Sequence, residues 1–199
     1  EFLWVPGTSA ADFTILFGDD AYAEPSYYRN LAKAHTWQMQ IEAYRGYGVN
    51  GICAWTMFED PAVRNFDLKP ATNLLYQVQK AAYHPNAVFV EEYNPRFFGA
   101  QTATRNLRLY NDRMVGGDLT LKWRAAGGTW ETRALNMQPA GQRRETVMFT
   151  VPVLAGPFTL DIEVADGATT VFSNSIPYSA LPHRMLSVPA GFKVGLHDP

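Results

Sequence analysis

The hydrophobic pattern divides the chain into a first part with helical spacing and a second part with alternating spacing. Between residues 25 and 47, apolar and aromatic side chains recur every three or four positions, and Gln38 interrupts this stripe. Residues 70–83 repeat the same spacing. An apolar stripe with this period is typical of a helix that packs one face against a core. Both segments are therefore predicted to be helices.

A short apolar run, residues 51–60 (GICAWTMFED), lies between the two predicted helices and ends in acidic residues. A run of this length, bounded by Gly and by Asp-Pro, predicts a strand buried on both faces, as in a parallel sheet. Helix, tight turn and buried strand form half of a β/α repeat. In parallel sheets, the catalytic and ligand-binding residues lie at the C-terminal ends of the strands. Trp55, Glu59 and Asp60 are therefore candidate ligand contacts.

From residue 88 onward the period changes to two, which predicts strands. The predicted strands are residues 88–93, 106–110, 118–123, 129–135, 145–151, 158–164 and 170–173. Turn clusters rich in Gly, Pro, Asn and Asp separate them. About seven short strands in about ninety residues, with no helix between them, are typical of an immunoglobulin-like β-sandwich.

These patterns predict an α/β fragment followed by an all-β immunoglobulin-like sandwich. The predicted units are residues 1–86, residues 87–182 and a tail or linker at 183–199. The first unit is too small for a complete α/β domain, so its helices and strand leave large apolar faces uncovered. We therefore expect a missing portion of the same protein, or other chains, to cover those faces.

The composition favours a neutral polar partner. Hydrophobic residues make up 47% of the 199 residues, aromatic residues 14% and charged residues 18%, with a net charge of -2. The absence of a basic stripe argues against nucleic acid. No apolar run reaches the roughly 18 residues of a membrane helix, so no membrane partner is predicted. A surface rich in Trp, Tyr, Asn, Gly and Thr suits sugars, although an ordinary β domain explains this composition equally well.

Cysteine and histidine usage predicts neither a disulfide nor a cofactor. Cys53 is the single cysteine, and its place in the apolar run predicts a buried thiol. The four histidines have no metal-ligand spacing, and no phosphate-binding glycine loop occurs. The compartment stays open, because one cysteine fits a reducing cytosol and also an export route without disulfides. Between these two, the export route is preferred, which gives a secreted or periplasmic location.

The order of these segments resembles glycoside hydrolase family 2, the group of β-galactosidases, β-glucuronidases and β-mannosidases. Residues 51–60, with Gly-x-x-x-Trp-x-x-x-x-Asp, look like the eighth strand of that family's (β/α)₈ barrel. Residues 26–47 look like the helix before it. Residues 106–112 (NLRLYND) look like an apolar-x-apolar-x-Asn-Asp strand end of the sandwich that follows the barrel. The resemblance implies that residues 1–86 are the C-terminal portion of a catalytic TIM-type barrel.

The resemblance also implies a chemistry, the retaining cleavage of β-linked glycosides by two carboxyl groups about 5 Å apart. Glu1 stands where the family's nucleophile falls, and a cloning scar or a plain terminal residue are the other interpretations. The acid/base glutamate follows an earlier barrel strand, so the chain alone is expected to be inactive. Trp55 is interpreted as a ring that stacks on sugar or as a core residue. Glu59 and Asp60 bond sugar hydroxyls or cap the following turn.

Two functions follow from the sequence. The first is the C-terminal portion of a glycoside hydrolase, with a carbohydrate substrate. The alternative is a non-catalytic β-sandwich module for carbohydrate binding or protein contact. The chain opens on Glu-Phe-Leu-Trp without Met, which predicts a processed or truncated protein.

Overall fold

A computed structural model describes residues 11, 14–49, 51–53 and 74–182. Within these residues, helices come first and strands follow. The helices are α1 (Thr14–Phe17), α2 (Asp20–Ala23), α3 (Pro25–Gly46) and α4 (Leu74–Ala82). The strands are β1 (Asn86–Val90), β2 (Arg96–Phe98), β3 (Thr102–Asn111), β4 (Gly117–Ala125), β5 (Glu131–Met137), β6 (Gly141–Thr150), β7 (Gly156–Asp166) and β8 (Thr169–Leu181).

The strands form the two sheets of a β-sandwich. One sheet has the order β1-β3-β6, and the other has the order β2-β8-β7-β4-β5. All neighbours are antiparallel except the short β2, which lies parallel to β8. In the larger sheet, β4 lies between β7 and β5, and its Leu121 pairs with Val164 of β7 on one side and with Arg133 of β5 on the other.

Alternation along the strands places the core between the sheets. Leu121 of β4 and Leu160 and Ile162 of β7 are completely buried, and their neighbours in sequence are partly exposed. This is the expected result when successive side chains point to opposite faces of a strand. Trp123 is also buried, and its indole Nε1 donates to the Met148 carbonyl at 3.2 Å. This hydrogen bond connects β4 in one sheet with β6 in the other.

The two longer helices pack against each other through a small apolar cluster. α3 has 22 residues, so it is about 33 Å long. Pro25 occupies its first turn, and Gly48, with a φ of 71°, follows its end in the left-handed conformation that glycine favours. Trp37 of α3 and Leu75 of α4 are buried in the shared cluster. None of the described helices combines the length and the apolar character needed to cross a membrane.

The predicted fragment of a TIM-type barrel is wrong. Every described strand belongs to the sandwich, and residues 51–53 are in no strand. Cys53, predicted to be buried, is exposed. A buried barrel strand needs a hydrogen-bonded neighbour on each edge, because unpaired backbone groups are costly away from water. The described residues supply no such neighbour, and α3 and α4 instead form a helical layer beside the sandwich.

Candidate functional site

The sequence-predicted site residues lie outside the described residues. These residues are Glu1, Trp55, Glu59 and Asp60. Their assignment as nucleophile and sugar contacts therefore stays a prediction. The described structure brings together a different set of side chains, where the C-terminal half of α3 meets the sandwich.

Arg45, in the last turn of α3, is the central contact of this junction. Its side chain is only 9% exposed. Nη1 donates to the carbonyl oxygens of Ala82 at 2.5 Å and His84 at 3.2 Å, and Nη2 donates to Asp112 Oδ2 at 2.5 Å. The last carbonyls of a helix lack partners within the helix, and the guanidinium satisfies one at the end of α4. Arg45 thus connects α3, α4 and the end of β3.

Two aromatic rings complete the environment of this guanidinium. The carbon at its centre lies 4.4 Å from the ring centroid of Tyr110 and 5.1 Å from that of Phe89. The two rings are 5.3 Å apart and tilted. A cation over an aromatic face gains about 0.5–2 kcal/mol, depending on how far it is removed from water. The junction therefore has a cation between a carboxylate, two carbonyls and two rings.

The Asn-Asp pair at the end of β3 has two separate structural roles. Asn111 is 1% exposed, and its Nδ2 donates to the carbonyls of Val115 at 2.9 Å and Gln138 at 3.0 Å. A carboxamide has the two donors that this arrangement needs. Asp112 accepts from Arg45, and its backbone N–H donates to the Pro85 carbonyl at 2.8 Å. Asn111 therefore stabilises turns of the sandwich, whereas Asp112 holds the helical layer.

A second arginine, Arg108 of β3, reaches the C-terminus of α3. Its Nη1 donates to the Gly46 carbonyl, and its Nε donates to Glu91 Oε1 at 2.9 Å. Arg144 of β6 also binds Glu91. Hydrogen bonds from Arg144 and then Arg108 hold the pKa of the Glu91 carboxyl below its ordinary value, against the opposite effect of burial. Glu91 is therefore a carboxylate at neutral pH and fixes the orientation of Arg108.

A cavity of about 400 Å³ opens between α3 and the sandwich beside this junction. Its α3 wall consists of His35, Gln38, Met39 and Glu42, which lie on one helical face because their spacing is i, i+3, i+4 and i+7. The sandwich contributes Phe89, Val90, Glu92, Tyr93, Pro95, Asn174, Ser175, Ile176, Pro177 and Tyr178. Its volume lies within the range of about 300–1,000 Å³ that is typical of small-molecule sites.

A second cavity, of about 280 Å³, shares a wall with the first. The residues common to both are Glu42, Phe89, Val90 and Tyr93. The second cavity extends along α3 to Tyr47. We call the two cavities together the helix groove. Tyr93 is 55% exposed and Tyr47 is 86% exposed, so two tyrosine side chains reach solvent along it.

Glu42 is the ionisable group shared by both halves of the helix groove. Its Oε1 accepts from Gln38 Nε2 at 2.9 Å. Burial raises the pKa of the Glu42 carboxyl to about 7, although Gln38 and Arg45 act in the opposite direction. Near neutral pH a substantial fraction is protonated, so the group donates as well as accepts hydrogen bonds. The pKa of the Tyr93 phenol is also raised, mainly by burial and secondly by the nearby charge of Glu42.

The helix groove is suited to binding. Two further carboxyls line it, and both are already bonded. Glu92 accepts from the Asn106 backbone N–H at 3.0 Å and from Asn106 Nδ2 at 2.7 Å, and Glu91 accepts from Arg108 and Arg144. This leaves Glu42 as the carboxyl that faces a ligand, whereas retaining hydrolysis needs a pair of carboxyl groups. Across the part of the chain that the structure describes, no cluster of three metal-ligating side chains occurs. The groove therefore offers hydrogen-bonding groups and aromatic rings to an uncharged polar ligand.

Sequence reasoning did not identify Arg45, Glu42 or Tyr93. One signal was present, because Gln38 interrupts the apolar stripe of α3 and Glu42 follows one helical turn later. Two polar residues on the inner face of a helix indicate either a buried polar contact or a cavity. The partners from β1 and β8 are far away in sequence, and no local pattern identifies them.

The fold and the groove together define a β-sandwich protein with a helical layer on one side. No protein-family model matches the chain, and no curated protein matches its sequence. Among solved structures, the CARDB domain of the PF1109 protein from Pyrococcus furiosus is similar at 12% identity. The match has a TM-score of 0.41 and covers 48% of this chain and 89% of that one.

Glycoside hydrolase chains are also among the similar structures, at low identity and partial coverage. A beta-glucosidase from Listeria innocua matches at 8% identity and a TM-score of 0.40, over 52% of this chain and 17% of that one. A Paenibacillus cycloisomaltooligosaccharide glucanotransferase matches at 12% identity and a TM-score of 0.35, over 47% of this chain and 13% of that one. These chains are far longer than the matched region. Membership of family 2 stays a prediction.

Proposed function

We propose that this chain is the C-terminal, sandwich-bearing portion of a glycoside hydrolase that cleaves β-linked glycosides with retention of configuration. The observation that carries the proposal is the Asp112–Arg45 contact at 2.5 Å. Asp112 ends the strand segment, residues 106–112, that resembles the family 2 sandwich. A carboxylate at that point fixes the sandwich to the helix that precedes it in the chain. The contact supports a role of the sandwich as a rigid attachment to an upstream unit.

In this proposal the cleavage chemistry involves residues outside the described region. Glu1 is the nucleophile, Trp55 stacks on the sugar, and Glu59 and Asp60 bind its hydroxyls. Retaining cleavage needs a second carboxyl group as acid and base. A part of the protein outside these 199 residues supplies that group, so the chain alone is inactive.

The test compares two proteins on nitrophenyl β-glycosides: the 199-residue chain, and the same chain extended by the sequence encoded upstream of Glu1. We expect hydrolysis by the extended protein only, and loss of at least about 10³-fold in kcat when its Glu1 equivalent is changed to Gln. Hydrolysis by the 199-residue chain would contradict the assignment of roles. An extended protein that hydrolyses none of these glycosides would contradict the enzyme itself.

The second candidate function is a non-catalytic sandwich module for carbohydrate binding or protein contact. The helix groove favours it, because its ligand-facing groups suit binding and lie entirely within the described residues. In this case Glu1 and Trp55 have no role in catalysis. The sequence upstream of Glu1 distinguishes the two functions, since a second sandwich there favours the module and a unit with a candidate acid/base glutamate favours the enzyme.

A further inference from the structure

The helix groove has two adjoining halves. Its halves measure about 400 and 280 Å³ and share Glu42 and Tyr93 in their walls. Tyr93 therefore lies at the passage from one half to the other, and Tyr47 lines the second half. Both side chains are more than half exposed, so their rings are available without rearrangement of the core.

The polar groups of the groove come from opposite walls. Gln38 and Glu42 belong to α3, and Asn174 belongs to β8. Carboxamides donate and accept, and a partly protonated carboxyl does the same. This mixture suits hydroxyl groups, which also donate and accept. A ligand with several hydroxyls can therefore satisfy groups on both walls at once.

The charges around the groove favour an uncharged ligand. Arg45 donates hydrogen bonds to Asp112 and to two carbonyls. Arg108 donates hydrogen bonds to Glu91 and to the Gly46 carbonyl. An anion in the groove would meet the Glu42, Glu91 and Glu92 carboxyls, and the arginine on its wall, Arg108, already binds Glu91 and the Gly46 carbonyl. Removing a charged group from water without a partner is more unfavourable than removing a neutral polar group.

We infer that the helix groove binds a neutral saccharide of at least two sugar units, with Tyr93 and Tyr47 against successive sugar rings and Gln38, Glu42 and Asn174 bonded to hydroxyls. The apolar face of a sugar ring suits a flat aromatic side chain, while the hydroxyls at the ring edge reach the walls. This inference rests on the second candidate function, carbohydrate binding, and applies whether or not the protein hydrolyses glycosides.

The experiment is a titration of the ¹⁵N-labelled 199-residue chain with cellobiose and with lactose, followed by NMR. Saturable shifts are expected at amides of residues 38–42, 91–93 and 174–176. Tyr93→Ala is expected to weaken binding about tenfold, and Tyr93→Phe, which keeps the ring, by less than about threefold. Glucuronate is expected to bind at least about tenfold more weakly than glucose, because its carboxylate meets Glu42 and Glu92.

Tyr22→Ala is the matched control, since Tyr22 on α2 is 58% exposed and lies outside the groove walls. It should leave the dissociation constants unchanged. The inference is overturned if neither disaccharide shifts these amides, or if Tyr22→Ala and Tyr93→Ala weaken binding equally. Shifts of the same amides that follow protein concentration without sugar would assign the groove to protein contact instead. If the groove binds saccharide but the extended protein hydrolyses no glycoside, only the proposed hydrolase activity is contradicted. If the extended protein hydrolyses glycosides but the groove binds no saccharide, only the proposed binding site is contradicted.

Discussion

The sandwich and the helical layer are stabilised in different ways. The sandwich has one continuous apolar core that includes residues of both sheets, with Leu121, Leu160 and Ile162 fully buried. Among the described residues, the helical layer has small separate clusters, such as the one around Trp37 and Leu75. Polar contacts of arginines attach it to the sandwich. Apolar burial is non-directional and adds over area, at about 25 cal/mol per Å², whereas charged hydrogen bonds depend on a few atoms.

This difference has a consequence for unfolding. A core that includes residues of both sheets opens only when the whole sandwich opens. A layer attached by a few directional contacts can open alone, as a unit of lower stability. The helix groove lies between these two units, so its geometry depends on the less stable one. Changes at the junction should therefore affect the groove before they affect the sandwich.

The largest expected effect is in the sandwich core. Leu121→Ala should lower the free energy of unfolding by about 3–4 kcal/mol, because it removes buried methyl groups and leaves a cavity between the sheets. Denaturant unfolding followed by circular dichroism measures this. Leu154→Ala is the control, since Leu154 is 83% exposed, and it should change stability by less than about 0.5 kcal/mol. Equal effects of the two changes would mean that the core does not dominate the stability of the sandwich.

The second effect is at the junction. Arg45→Met should destabilise the attachment of the helical layer by about 2–3 kcal/mol, because the carbonyls of Ala82 and His84 and the Asp112 carboxylate lose their donor. Hydrogen exchange measured by mass spectrometry should show faster exchange in α3 and α4 and unchanged protection in β4 and β7. Arg96→Met, at an exposed arginine of β2, should change neither.

If Arg45→Met instead accelerates exchange in β4 and β7 as much as in α3, the two units unfold together. The separation proposed here would then be wrong. The outcome also bears on the groove, because Glu42 lies one turn before Arg45 on the same helix. Saccharide binding should weaken in Arg45→Met even though no groove contact has been changed directly.

The third effect depends on pH. The pKa of Glu42 is about 7 in the folded protein, against 4.5 for an ordinary glutamate, because burial disfavours its charged form. A raised pKa means that the folded state binds the proton more tightly, so this stabilisation is complete below about pH 4 and is lost as the pH rises through 7. A shift of this size corresponds to at most about 3 kcal/mol. Glu42→Gln should therefore stabilise the protein at pH 8 and have little effect at pH 4.

The carboxyls of Glu91, Glu145 and Asp161 act in the opposite direction. Burial acts to raise their pKa values, but arginine or serine hydrogen bonds lower them overall, so these groups lose stabilisation as the pH falls. The contribution of these three carboxyls is the same in the wild type and in Glu42→Gln, so it cancels in the difference between the two unfolding free energies. Thermal unfolding at pH 4, 6 and 8 measures it. A difference that is constant with pH would show that Glu42 has an ordinary pKa in the folded protein.

The sequence was sufficient for most elements and insufficient for their arrangement at the junction. The predicted strands correspond to β1 and to β3 through β8, because alternation is a local property that needs no partner. β2 was missed, since three residues show no period. The helix predicted from residue 25 or 26 to 47 is observed as Pro25–Gly46.

The barrel fragment was predicted wrongly because the prediction relied on one short apolar run, residues 51–60, of which the described residues 51–53 are in no strand. A run of this length does not by itself distinguish a strand from other buried segments, and the pairing that defines a parallel sheet is not encoded locally. The role of Asp112 could not be predicted either, because it also depends on a partner that is distant in sequence. Its partner, Arg45, is 67 residues away. The sequence marked the Asn-Asp strand end as a signature without indicating which of its residues contacts α3.

The smallest effect comes from an ion pair far from the junction. Lys122 of β4 and Glu163 of β7 are 3.6 Å apart, each about one third exposed. Surface pairs of this kind contribute about 0–1 kcal/mol, and salt screens them. Lys122→Met should change the free energy of unfolding by less than about 0.5 kcal/mol in 0.15 M salt. If Lys122→Met lowered the free energy of unfolding as much as Arg45→Met, the surface ion pair and the junction arginine would contribute equally to stability. The larger contribution expected of Arg45 would then be refuted.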